Sequence, residues 1–125
     1  MAENRAIQTG NASLDAAKGW FVGGSLDESL GLRHTYDVEM KWSVVKAGEG
    51  HAEWVTAETR KTVAILISGT YEVQFRERTV TLAKQGDFVM WGRGCDHRGK
   101  AVADSIVLTV RWPSIPRDAP NKKFL

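Results

Sequence analysis

The chain has 125 residues, 42% of them hydrophobic, with 17 Lys and Arg against 15 Asp and Glu and a formal net charge of +2. That length suits one core in one domain, and so even a balance gives nucleic acid or an anionic membrane surface no electrostatic hold. A single cysteine, Cys95, excludes an intramolecular disulfide and agrees with a reducing compartment.

The opening MAENRAIQTG lacks the apolar core of a signal peptide, and no later run is long enough to span a bilayer. A cytoplasmic protein is expected. A short helix is predicted near Ser13 to Lys18, with Gly19 as its stop. Trp20-Phe21-Val22, closed by Gly23-Gly24, reads as a short edge strand or a plug. Ser25 and Glu28 have capping-box spacing, which predicts a single helical turn running to Gly31. No internal repeat or low-complexity region is present.

From Tyr36 the period becomes two. Tyr36, Val38, Met40, Trp42 and Val44 alternate with Asp37, Glu39, Lys41 and Ser43, as on a half-buried strand. A turn at Ala47 to Gly50 follows, and further strands are predicted at 53–58, 61–68, 70–76, 79–83, 87–91 and 104–112. Many short strands without long helices predict a sandwich or barrel. The tail from Pro113 is Pro-rich and basic, and is expected to drape over a surface rather than add a strand.

Two stretches carry a family resemblance. Residues 86–97, GDFVMWGRGCDH, have the spacing Gly-x5-Gly-x-Gly-x2-His. This resembles the second motif of the cupin superfamily, with Gly92 where proline is usual and Ala101 where asparagine is usual. Counting from Gly50, the first cupin motif places Thr56 and Glu58 at its two histidine positions, Thr62 at its glutamate position, and Gly69 at its closing glycine. The resemblance covers residues 36 to 112. It implies an all-β fold: a single-domain cupin-type barrel (a double-stranded β-helix or jelly roll) with short N-terminal helical turns. Residues 1–35 would pack on the barrel, 36–112 would form it, and 113–125 would be the Pro-rich tail.

Thr56, Glu58, Arg60 and Thr62 occupy alternate positions, so on one continuous strand they share a face. The resemblance turns that face inward, toward His97, although a bulge near Arg60 could turn it out. Facing inward, Arg60 is the natural anchor for a carboxylate or phosphate. Glu58 and His97 are then the candidate acid–base pair. A structural Glu58–Arg60 ion pair plugging the barrel mouth is the competing reading. Trp42 and Tyr71 are candidates to stack on a planar or sugar-like ligand, the other tryptophans being core. His34 and His51 fall in loops and read as solvent residues; a metal pair of His51 and Glu53 would be out of frame with the motif. Cys95 and His97 lie too close in sequence to have the geometry of a nucleophile–base pair.

No cofactor is expected. Of the four motif positions only Glu58 and His97 are competent metal ligands, because threonine hydroxyls are poor donors to transition metals. Three function classes remain: a small-molecule-binding cupin acting on a small organic acid or sugar-like ligand, by acid–base isomerisation or cyclisation; a metal-dependent cupin dioxygenase or decarboxylase; and a sensor or accessory domain without chemistry. The expected partners are a small anionic ligand and a second copy of the chain. Trp20, Phe21 and Phe124 suggest that the N-terminal segment or the tail covers the neighbour in a homodimer.

Overall fold

The computed structural model describes residues 7–16 and 18–115. Its elements in chain order are α1 (Ala12–Asp15), β1 (Trp20–Val22), a 3₁₀ segment (Glu28–Arg33), β2 (Glu39–Val45), β3 (Lys61–Ser68), β4 (Tyr71–Phe75), β5 (Thr79–Leu82), β6 (Phe88–Trp91), β7 (His97–Ala101) and β8 (Ser105–Trp112). The strands form a five-stranded sheet, β1-β2-β8-β3-β6, and a three-stranded sheet, β5-β4-β7. Every strand pair is antiparallel. The all-β expectation holds.

The elements follow from local sequence. α1 is capped by Asn11, whose side chain accepts from Ser13 N. The 3₁₀ segment is capped by Asp27 rather than by the expected Ser25, and it kinks at Gly31, whose φ of 67° is left-handed. β3, β4 and β8 are rich in β-branched and aromatic residues. Gly69, at φ 93°, turns β3 into β4 with no room for a side chain: a Cβ there would sit 2.2 Å from the Asp104 carbonyl oxygen.

The predicted strand at 53–58 does not form. Only Val55 pairs, in an isolated bridge with His97, and Ala57 takes a left-handed φ of 57°. The reason is local. The Glu58 carboxylate accepts the backbone N–H groups of Thr59 and Arg60, each at 3.0 Å, and so competes with a ladder for them. β7 lies where no strand was expected, since HRGKA offers little β propensity and is held by β4 instead.

Inner and outer faces of the large sheet differ in an unusual way. Three rows of paired residues cross its inner face: Glu39–Arg111–Thr62–Trp91, then Lys41–Thr109–Ala64–Val89, then Ser43–Val107–Leu66. Polarity therefore grades along the barrel. Ala64, Leu66, Leu82 and Val107 form the apolar core, with Tyr71, Val80, Val89 and Trp91 against it, and charges occupy the far end. On the outer face the rows are Met40–Val110–Val63–Met90, Trp42–Leu108–Ile65–Phe88 and Val44–Ile106, all apolar. Trp42, expected to point inward with its apolar neighbours, thus belongs to the outer face. The polar members of the β2 alternation are the ones that point in, because Glu39 finds Arg60 and Arg111 there.

Candidate functional site

Glu58 and Arg60 are 1% and 0% exposed, and they bind each other through two hydrogen bonds of 2.6 Å, Arg60 Nε to Glu58 Oε1 and Nη2 to Oε2. Arg60 Nη1 also donates to Glu39 Oε1. Arg111 Nε lies 2.8 Å from Glu39 Oε1, and its Nη1 lies 3.9 Å from Glu58 Oε2. The result is a buried cluster of two carboxylates and two guanidiniums, neutral in sum, at one end of the barrel. Buried charges are stable only when paired in this way. Ser114 seals it, donating to Glu39 Oε2 at 3.1 Å while accepting Gly24 N–H at 2.8 Å. Burial opposes ionisation of Glu58, but hydrogen bonds and charge from Arg60 outweigh it and hold the carboxyl below its usual range.

This geometry corrects two expectations. Arg60 does not face the cavity as an anion anchor, because Glu58 and Glu39 occupy its fork. Glu58 does not stand as a proton-transfer partner for His97, because both of its oxygens are held by guanidinium groups and its pKa is lowered. The ion-pair reading describes them both.

Beside the cluster lies a cavity of about 120 Å³. Its walls include Lys41, Thr62, Thr109 and Arg111 from the large sheet, Tyr71, His97 and Gly99 from the small one, and Trp20, His51 and Trp91. Among the described residues no Asp or Glu lines it. Of the sequence candidates, Thr62, Tyr71 and His97 meet here. Thr56, Glu58, Arg60 and Trp42 do not.

Each wall residue has a local cause. Thr62 and Trp91 are paired across β3 and β6, and Thr62 Oγ1 and Trp91 Nε1 are both shielded from solvent without a hydrogen-bond partner among the described residues. Tyr71 can lie over the small sheet only because residue 99 is glycine: a Cβ there would come within 2.0 Å of the Tyr71 hydroxyl. Burial raises the pKa of that hydroxyl. Trp20 is 8% exposed and carries the Arg111 guanidinium 4.4 Å above its ring. Its burial inside its own barrel removes it as a cover for a neighbouring copy.

His97 is held at both ends. Val55 brackets its backbone with hydrogen bonds of 2.7 and 3.1 Å, and its Nδ1 lies 3.0 Å from the Cys95 carbonyl oxygen. A carbonyl only accepts, so Nδ1 carries the proton and Nε2 keeps the lone pair. The ring tilts against Trp91 with centroids 4.6 Å apart. Burial lowers its pKa, aided by Arg111 and His51 and opposed by the Cys95 hydrogen bond and Glu58. His51, expected as a solvent residue, is exposed at its outer edge yet lines the same cavity. Burial, Lys41 and Arg111 lower its pKa too. Its loop is pinned by Trp54, which sits between Arg76 and Arg98 at 4.1 and 4.5 Å, and by Arg98 Nη1 donating to Ala52 O at 3.0 Å. His34 is half-buried, its Nδ1 2.8 Å from the Leu26 carbonyl oxygen.

The motif positions do not suit a transition metal. Glu58 is consumed by Arg60, Thr56 is outside the cavity walls, and Thr62 offers only a hydroxyl. Among the described residues no three His, Cys, Asp or Glu side chains gather to hold an ion. Arg111 and Lys41 also bring positive charge to the same walls.

Sequence reasoning missed Lys41, His51, Trp91 and Arg111 as wall residues. A signal existed for one of them, because Arg111 is the single charged residue of an otherwise largely apolar strand.

Two antiparallel sheets around an interior cavity, with charged residues inside and a histidine on the small sheet, form a β-barrel. No family model matches the sequence, and no curated protein matches it. Solved structures do. KdgF from Halomonas sp. aligns with a TM-score of 0.59 at 20% identity, over 67% of this chain and 77% of that one. A cupin superfamily protein from Desulfitobacterium hafniense gives 0.57 at 15% identity, over 65% and 72%. A cupin-2 domain protein from Shewanella frigidimarina gives 0.51 at 23%, over 62% and 72%. The chain has the cupin fold. Among the described residues no helix is long and apolar enough to cross a membrane.

Proposed function

We propose that this chain is a small-molecule-binding cupin whose cavity takes a small carboxylate. The observation that carries the reading is the make-up of the walls: Lys41, Arg111 with its Glu39 partner set behind the wall, two imidazoles and, among the described residues, no acidic lining side chain. A low-dielectric recess of one sign selects for the opposite charge. Trp91 Nε1 supplies a donor without an acceptor, and Thr62 Oγ1 a donor and acceptor without a partner. Groups buried without partners are rare and point to something that completes them.

Size narrows the class. A cavity of ~150 Å³ takes a benzene ring, so 120 Å³ seats roughly five non-hydrogen atoms. That suits a two- to three-carbon acid and is too small for a six-carbon sugar acid unless the walls move. Chemistry, if the ligand reacts, rests on His97. Its neutral Nε2 is a base at neutral pH, and the Tyr71 hydroxyl on the same walls is a proton donor. The anchor is Lys41 in place of Arg60, with Arg111, which Glu39 already holds at 2.8 Å, beside it on the wall.

Calorimetry with acetate, propionate and lactate against their neutral amides tests the reading. The acids should bind at least about tenfold more tightly, the difference of one charge-assisted hydrogen bond. Lys41→Met should remove most of that preference. Equal binding of acids and amides overturns the proposal.

A further inference from the structure

The cavity continues beyond its own walls. Lys41, Ser43, His51 and Tyr71 also line an open groove of about 800 Å³ with α1 at its rim. The groove follows a seam between the two sheets. One bank is β2. The other is residues 48–51, which extend the small sheet through the Gly50–Lys100 bridge and a 2.8 Å bond from His51 N–H to the Gly99 carbonyl.

The β2 bank is an open sheet edge. Backbone groups of successive strand residues point to opposite edges. Trp42 N–H donates to the Gly19 carbonyl at 2.8 Å, so the even-numbered groups of β2 point away from β8. Gly19, at a left-handed φ of 91°, breaks the chain away from this edge, and β1 pairs only with Met40 and Lys41. The register of β2 on β8 is unbroken, so the Val44 N–H and C=O point the same way as those of Trp42. Among the described residues neither has a hydrogen-bond partner. An unpaired edge is a template for an extended chain.

We propose that the carboxylate this cavity takes is the C-terminus of a peptide, laid antiparallel along the β2 edge. The inference rests on the carboxylate reading and gives it a ligand class. Two opposed residues of an antiparallel pair can exchange both backbone hydrogen bonds, so the penultimate peptide residue satisfies Val44. The last residue then falls opposite Ser43, whose side chain lines the cavity, and opposed side chains share a face. Its carboxylate runs on toward Lys41; a parallel course would carry that end away, past Val45. Strand addition and capture of a terminal carboxylate are both established modes of peptide recognition. A free amino acid would bring its ammonium into the same recess as Lys41 and Arg111, whereas a peptide bond removes that charge.

The end residue must be small. Room for roughly five non-hydrogen atoms in 120 Å³ matches the carboxylate, Cα and Cβ of alanine. Glycine and alanine fit, and phenylalanine does not. The penultimate side chain stands on the side of Val44, which is 65% exposed, so its identity matters little.

Titration calorimetry on the full chain compares N-acetyl-trialanine with propionate. The peptide should bind about tenfold or more tightly, because two hydrogen bonds are added. N-methylation of its penultimate residue deletes the donor to the Val44 carbonyl and should remove that gain, as should conversion of the terminal carboxylate to an amide. Replacing the last alanine by phenylalanine should abolish binding. Val44→Pro deletes the protein's N–H without breaking a ladder bond and should also remove the gain, with an unchanged far-ultraviolet spectrum. If that variant fails to fold, the N-methylated peptide decides alone. Propionate bound as tightly as the peptide overturns the peptide inference and leaves the carboxylate reading standing. A gain that survives N-methylation overturns it likewise. Equal binding of the peptide acid and its amide overturns both.

Discussion

Replacing Thr62 by Val separates stability from binding in a way few cavity substitutions can. Thr62 is 1% exposed, its Oγ1 has no partner among the described residues, and it sits mid-sheet between Arg111 and Trp91. An unmatched buried hydroxyl costs the fold its lost hydration, about 1–3 kcal/mol. Valine has nearly the same shape and suits a strand. The ligand-free variant should therefore be more stable by about 1–3 kcal/mol, and near 4 °C per kcal/mol for a chain of this size Tm should rise about 4–12 °C. Affinity for a small carboxylate should move the opposite way, falling about tenfold as one hydrogen bond is lost. Differential scanning calorimetry reads the first effect and titration calorimetry the second. A Tm that falls in the variant would show that the hydroxyl is already satisfied, and the reasoning about an incomplete cavity would fail with it.

Stability should also depend on pH through His97. Its pKa is lowered from 6.5 by burial, so below 6.5 the unfolded chain binds more protons than the folded one, and stability falls as pH drops from 6.5 toward the folded pKa. Urea unfolding at successive pH values should show that decline, and His97→Asn should flatten it. Glu58 acts lower down. Its pKa lies below 4.5, so its contribution is present above 4.5 and is lost as pH falls through the folded value, which Glu58→Gln should abolish. Glu39→Gln leaves two guanidiniums sharing one carboxylate in the interior and should cost about 3–5 kcal/mol in urea unfolding. Gly99→Ala drives a methyl into the Tyr71 ring and should cost about 1–3 kcal/mol while weakening carboxylate binding; an unchanged Tm would mean that Tyr71 is free to move away.

The fold was legible in the sequence because strand punctuation and motif spacing survive even where the motif's chemistry has gone. Gly69 and Gly86 mark turns, and Gly50 a close backbone approach to Gly99 and Lys100, whatever replaces the histidines. Side-chain direction on β2 was not legible. Alternation of Met40, Trp42 and Val44 with Glu39, Lys41 and Ser43 fixes two faces but not which is inside, and the usual preference for apolar interiors gave the opposite of what the Arg60 and Arg111 cluster imposes. The row from Thr56 to Thr62 failed for a related reason. Period-two reasoning assumes an unbroken strand, whereas the Glu58 carboxylate captures its own backbone and curls residues 56–60. His51 was unreadable because it reaches the cavity from a loop, where spacing carries no direction.

The reversed polarity of β2 and of the Arg111 end of β8 changes what fixes their pairing. In an ordinary sheet a slip of one residue exposes the oily side, and that penalty sets the alignment. Here a one-residue slip of β8 would carry Val110 inward and Arg111 outward, a change that hydrophobicity alone would welcome. What forbids it is electrostatic. Glu39 and Glu58 would lose Arg111, and Arg60 alone would face two carboxylates in a dry interior. The buried cluster thus works as a latch on strand alignment, specifying which of two faces turns inward while adding little to net stability. Removing all four charges together should leave a chain that still collapses but no longer distinguishes its two sides.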